Sequence, residues 1–162
     1  MNRRNHWKLV GFSLVEVTIA LGIAGFFLTA VLGLLPVAIK TQQTSIDQRT
    51  ANGIITELVG DLRAAFRRPG NGNSSQFGVE ITKLPPGLGQ KYTPTPVYFA
   101  IDGTKLNGSA GAAYKATITY YSTTDATSTL ANVVITWPAA QNDLTKVAGS
   151  AEMLAVIDRK LP

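Results

Sequence analysis

From residue 12 to residue 39 the chain is apolar almost without interruption, and Glu16 is the one charge in those 28 positions. As an α-helix they span about 42 Å at 1.5 Å per residue, more than the roughly 30 Å hydrocarbon core of a bilayer. The apolar core of a cleaved secretory signal is shorter, about 7–15 residues. The pattern therefore predicts a membrane-length helix that stays with the chain. Gly22, Gly25, Gly33 and Pro36 fall inside it. Pro36 removes one backbone hydrogen bond, and each glycine weakens a helix in water. Inside a bundle such residues are tolerated. Ala20, Gly22, Ala24 and Gly25 are expected to make a small-residue face that another helix can approach.

Polar residues begin at Lys40, but no break appears before Pro69-Gly70. Ile46, Ile54, Leu58, Leu62 and Phe66 recur at four- and eight-residue steps, with Ile55, Val59 and Ala65 beside them. That is one apolar stripe on a helix. Asp47, Arg49, Glu57, Asp61, Arg63 and Arg67 are expected on the opposite, solvated face. One helix from residue 12 to about residue 68 follows, about 85 Å long. Its first half is apolar all round. Its second half is amphipathic and needs a globular partner.

Pro69 to Ser75 reads as a stop and a loop, and the period then changes to two. Phe77, Val79 and Ile81 alternate with Gly78, Glu80 and Thr82, which predicts a strand over 77–81. A Pro-rich connection runs from Pro85 to Pro96. Further strands are predicted over 97–101, closed by the Asp102-Gly103 turn, and over 114–121 and 132–137, the last closed by Pro138. Residues 122–128 read as a Ser/Thr-rich loop. In 149–162 the spacing of Met153, Leu154, Val156, Ile157 and Leu161 fits a last strand or a short helix. The fold class is α+β, with the half-helix 40–68 laid on a small antiparallel sheet in a head of residues 69–162.

Composition changes this picture in one respect. The net charge of +5 and the basic balance invite a nucleic-acid partner. Arg3, Arg4 and Lys8, in the leader 1–11, hold three of the 15 basic residues, leaving 12 against 10 acidic ones. The rest are scattered and form no stripe that tracks phosphates, so nucleic acid is not expected as the main partner. Basic residues before an apolar segment stay on the cytoplasmic side, which sends the chain after Ile39 outward. Arg3-Arg4 is not read as a twin-arginine export signal, because the apolar run is too long and ends in no small-x-small cleavage site. No cysteine is present, so stability rests on burial alone.

Candidate chemistry is sparse. His6 is the single histidine and lies in the leader, which leaves no Ser-His-Asp set and no histidine cluster for a metal. No cofactor is expected. Glu57 and Asp61, one helical turn apart, are read as a solvated face rather than an acid–base pair. Gly70-Asn71-Gly72-Asn73 lacks the Lys-Ser/Thr and the preceding strand of a phosphate loop. Tyr92, Tyr98, Tyr114, Tyr120, Tyr121 and Trp137 are expected as core or cross-strand pairs. An enzyme is not indicated.

The stretch Gly11-Phe12-Ser13-Leu14-Val15-Glu16, after a basic leader and before the apolar run, resembles the type IV pilin family, which includes type II secretion pseudopilins. The strong resemblance covers about residues 1–40. The head is only loosely similar, although Val133-Val134-Ile135-Thr136-Trp137-Pro138 followed by an apolar tail is similar to minor pilins and pseudopilins. The resemblance implies a pilin-like layout. It implies cleavage between Gly11 and Phe12 by prepilin peptidase, which also methylates the new amino group of Phe12. It implies assembly with other pilin-like subunits through the N-terminal helix. There Glu16 of one subunit faces the amino terminus of Phe12 in its neighbour and sets the stagger. Such a partner would offset the few kcal/mol that a carboxylate costs in a bilayer centre. Without a partner, Glu16 is an acid near a helix N-terminus, stabilised by the dipole for about 0.3–1 kcal/mol.

Two departures bear on the kind of subunit. The cysteine pair of many major pilins is absent, and Asn142 and Asp143 make no calcium loop. Gly33 and Pro36 mark where the helix could break inside a filament. The expectation is a structural subunit, minor pilin or pseudopilin, of a type IV pilus or type II secretion pseudopilus. Before assembly it would sit in the bacterial inner membrane as a single-pass protein with its head in the periplasm. Afterwards it would sit in the filament. The alternative is an uncleaved, membrane-anchored extracytoplasmic binding domain.

Overall fold

A computed structural model describes residues 11–67, 72–81, 89–124, 127–141, 143 and 145–158. Arg3, Arg4 and Lys8 lie outside the described residues, as do Asn142 and Leu161. With no breaker but Pro36, the N-terminal part forms one helix, α1 (Leu14–Arg67), continuous through Gly33 and Pro36. The polar threonines of the apolar run do not interrupt it. Thr18 donates its hydroxyl to Leu14 O at 2.8 Å and Thr29 to Gly25 O at 2.8 Å, so each is satisfied by its own helix. The chain divides into two compact units, Met1–Gln43 and Thr44–Pro162. In the first, every described residue is exposed.

The second unit is two layers, the end of α1 on one face of an antiparallel sheet. Its strands are β1 (Lys91–Tyr92), β2 (Val97–Phe99), β3 (Lys105–Leu106), β4 (Tyr114–Ser122), β5 (Ser128–Trp137) and β6 (Gly149–Asp158). The order is β3-β2-β4-β5-β6, and β1 pairs with β4 off this path. Alternation decides the core. Tyr114, Ala116, Ile118 and Tyr120 of β4 and Ala131, Val133, Ile135 and Trp137 of β5 point at the helix. From α1, Ala51, Ile54, Ile55, Leu58, Val59 and Leu62 meet them. Edge-to-face rings join the layers and the strands, Phe66 to Tyr120 and Tyr114 to Trp137, each with centroids 6.0 Å apart. Gly149 lies opposite Trp137, and a Cβ there would come within 2.2 Å of the indole. Only glycine lets the ring lie across β6 at this point.

Several sequence expectations are corrected. Residues 77–81 are not a strand. Asn73 and Glu80 make an isolated bridge around a turn at 75–77, and Gly78 has φ +65°. The cause is Asp61. Its carboxylate accepts the N–H of Gln76 at 3.1 Å, the N–H of Phe77 at 2.9 Å and the hydroxyl of Ser75 at 3.3 Å, so these groups turn toward the helix instead of a ladder. Asp61 is therefore buried rather than on a solvated face. Asp47 is half-buried and accepts the Tyr114 hydroxyl at 2.9 Å. The strand predicted over 97–101 stops at Phe99, because Ala100 to Thr104 closes a tight turn into β3. In that turn Gly103 takes φ +85° against Thr50 and Ile54 of the helix. The strand over 132–137 begins earlier, at Ser128, and residues 149–158 are a strand. Tyr121, at 36% exposure, and Tyr98, between the buried Val97 and Phe99, stand on the outer face instead of in the core.

Candidate assembly site on the N-terminal helix

Ser13 stands one residue before α1, and its carbonyl accepts the Val17 N–H at 3.1 Å, the first bond of the helix. Ser13 and Glu16 have the spacing of a capping box, in which each side chain would bond the other's backbone. Among the described residues no hydrogen bond or ion pair engages either side chain. Glu16 lies in the first turn of α1, exposed, and its carboxylate is uncommitted. The next charge along the helix is Lys40, about 36 Å away at 1.5 Å per residue.

Phe12, Glu16, Ala20 and Ala24 follow at four-residue steps and, with Val17 and Leu21, line one shallow groove along the helix. Gly22 and Gly25 do not line it. At about 100° per residue Gly22 lies some 200° from Ala20, so the expected small-residue face divides in two. The groove has one acid at its N-terminal end and small side chains beyond, flanked by Leu21 and Phe12, which is 82% exposed. Gly11 precedes the helix with nothing within 4 Å of an added Cβ, and Gly33 and Pro36 lie within the unbroken helix. Of the residues singled out in the sequence, Phe12 and Glu16 thus share one face. By length and composition this helix is able to cross a membrane. The apolar pattern began the helix at residue 12 and did not single out Ser13, although its three-residue distance to Glu16 was the signal available.

The head holds its titratable groups for structure. Burial pushes the Tyr120 phenol well above its ordinary range, helped by the phenol of Tyr92 and the carboxylates of Asp61 and Glu80. Burial also raises Tyr114, and its bond to Asp47 adds to this. Asp102 is lowered by the backbone N–H and then the hydroxyl of Thr104, and Asp143 by the hydroxyl and then the N–H of Thr145. Both are exposed Asp-x-Thr turns. Among the described residues no three His, Cys, Asp or Glu side chains gather to hold a metal ion. No family model matches the chain, and no curated protein or solved structure matches it either.

Proposed function

We propose that this chain is a structural subunit of a type IV pilus or type II secretion pseudopilus, a minor pilin or pseudopilin. It is cut by prepilin peptidase between Gly11 and Phe12 and assembles through α1. The observation that carries this reading is the carboxylate of Glu16. It is exposed, without a partner among the described residues, on the face of an apolar helix that also bears Phe12, Ala20 and Ala24. A lone acid in such a helix asks for a cation from another molecule, and a neighbour's free amino terminus at Phe12 supplies one without a basic side chain. The small residues beyond it allow the neighbouring helix to approach. Gly11, with open space around it, suits entry into a protease cleft. Before assembly the helix anchors the protein in the inner membrane, with the leader at the cytoplasmic side and the head in the periplasm.

Mass spectrometry of the N-terminus of the protein isolated from its own cells tests this reading. The expected result is a chain beginning at N-methylated Phe12. A chain that keeps residues 1–11 would overturn the reading and favour an uncleaved anchor.

A further inference from the structure

The free edge of the head sheet is asymmetric. On one side it ends in β3, two residues long, with the two-residue β1 beside it, and on the other side in β6, ten residues long. Natural sheets blunt long edges with Pro, Lys or a bulge. β6 has no Pro, Lys or bulge, and its two charges are Glu152 and Asp158. Its sequence is Gly-Ser-Ala-Glu-Met-Leu-Ala-Val-Ile-Asp, and it pairs with β5 one-to-one from Gly149 to Asp158. The ladder also fixes which groups are unpaired. Ser122 N–H bonds Gln90 O on the β1 side, so Tyr121 turns its main chain toward β5. Following the register, odd-numbered residues of β6 bond β5. The N–H and C=O of Ser150, Glu152, Leu154, Val156 and Asp158 face the open edge. The same five side chains stand on the outer face, where Leu154 is 62% and Val156 57% exposed. Val156 extends a cross-strand apolar row from Tyr121 through Leu130.

We infer that β6 is a docking strand for β6 of a second copy of this chain, paired antiparallel about Leu154. The opposite edge offers a second copy only two residues, so a long ladder between copies is necessarily β6 on β6. Continuity of the outer faces requires even positions to meet even positions. Centred on Leu154, the pairing sets Leu154 against Leu154, Glu152 against Val156 and Ser150 against Asp158. No acid faces an acid, and the most exposed apolar side chain of the strand is covered. Shifted by one residue toward the C-terminus, it sets Glu152 against Asp158, a like-charge pair that is destabilising. Shifted the other way, it sets Asp158 opposite Ala148, beyond β6 of the partner, and lowers the bonded even positions from five to four. The pairing does not rest on the filament reading, and its failure would leave the processing of Phe12 untouched.

The absence of cysteine makes the test direct. Full-length chains with one introduced cysteine are purified in detergent micelles and oxidised. Opposed bonded residues have Cα atoms about 5.5 Å apart, inside the range of about 4.4–6.8 Å that disulfides span. Leu154→Cys is therefore expected to give at least about tenfold more covalent dimer than Lys105→Cys on the opposite edge, because disulfides do not reach beyond about 7 Å. Glu152→Cys alone and Val156→Cys alone should stay monomeric, since each lies about 13 Å from its own copy. A mixture of the two should crosslink. Adding Leu154→Lys to both should abolish that crosslink, and its exposed position keeps the head folded. Equal dimer from Leu154→Cys and Lys105→Cys, or a mixture no better than its components, overturns the inference. So does a Leu154→Cys chain that, oxidised in cells, crosslinks only to a different protein.

Discussion

The first 30 residues of α1 bury no side chain within the chain, whereas the last 24 bury seven against the sheet. The backbone does not distinguish them, since both belong to one unbroken helix. Nor does apolar content, which is higher in the part that buries nothing. The difference is angular. In residues 51–62 the buried apolar side chains fall within one stripe that a single sheet face covers, whereas Ile46, expected in that stripe, is exposed. In residues 14–43 apolar side chains surround the axis, so no single face of this chain would suffice. By length and composition that part is able to cross a membrane, where its surroundings are apolar on every side. Charges follow the same logic. In the second part Asp61 is held by three donors and Asp47 by the Tyr114 hydroxyl, while Glu57 stays exposed. In the first part Glu16 is held by nothing among the described residues.

The sharpest way to break this comparison is one substitution in each part. Leu58 is fully buried, and Leu58→Asp places an unpaired charge in the core. It should cost more than about 4 kcal/mol and unfold the head, seen as loss of near-ultraviolet circular dichroism, while the chain still fractionates with membranes. Glu16→Ala should do the reverse. Head melting should stay within about 0.5 kcal/mol of the parent, as for a surface change, while incorporation into filaments is lost. A head destabilised by Glu16→Ala, or filaments that form normally with it, would show that the two parts do not work separately.

Two acids one turn apart sharpen it next. Asp61→Ala leaves the buried N–H of Phe77 without its acceptor and strips those of Gln76 and Ser75. The expected loss is about 2–4 kcal/mol by denaturant titration. Glu57→Ala, on an exposed position, should change stability by no more than about 0.5 kcal/mol. Equal effects would mean that the carboxylate does not organise the 75–77 turn. Glycines give a smaller contrast. Gly149→Ala drives a methyl into the Trp137 indole and should cost about 1–3 kcal/mol. Gly22→Ala meets open space, and the melting temperature of the head should not move.

What the sequence disclosed follows from how local each signal is. The helix was legible because between Ser13 and Pro69 only Pro36 and five scattered glycines oppose it. β4 was legible from alternation alone. The supposed strand at 77–81 also alternates, and Phe77 and Val79 are indeed buried, but their N–H groups go to Asp61, 16 residues away in sequence from Phe77, and to the Ser74 hydroxyl. Periodicity does not reveal a competing acceptor on another element. The angle of Asp61 did carry a warning. Three residues from Leu58 at about 100° each is within 60° of it on the far side, inside the apolar stripe. Asp47 falls within it too. β6 was ambiguous because Met153, Leu154 and Val156 are apolar and exposed, so its pattern fits neither a half-buried strand nor an amphipathic helix. For the candidate assembly site, Glu16 was visible as the one charge in the run, and its groove needed only helical geometry. The division of Gly22 and Gly25 from Ala20 and Ala24 came from applying that geometry residue by residue.

The smallest effect concerns a group the head holds without a bond. Tyr120 is fully buried, and among the described residues nothing hydrogen-bonds its hydroxyl. Burial raises its pKa in the fold above that of the unfolded chain, so the fold accepts the neutral phenol and resists the phenolate. The stability tied to this is complete below the unfolded value of about 10 and is lost as pH rises above it. At neutral pH, Tyr120→Phe removes an unpaired polar atom and should change stability by no more than about 1 kcal/mol, in the stabilising direction if the ring keeps its contact with Phe66. Above about pH 10 the two proteins should diverge, the parent losing stability faster, since only it has this phenol to ionise. Tyr114 is also raised and is present in both, so the variant keeps a shallower alkaline slope. Thermal melts of the pair from neutral to alkaline pH measure the difference. Parallel curves would mean that the Tyr120 hydroxyl reaches water or a partner in solution. The apolar core behind β4 would then open at that hydroxyl and not close over it.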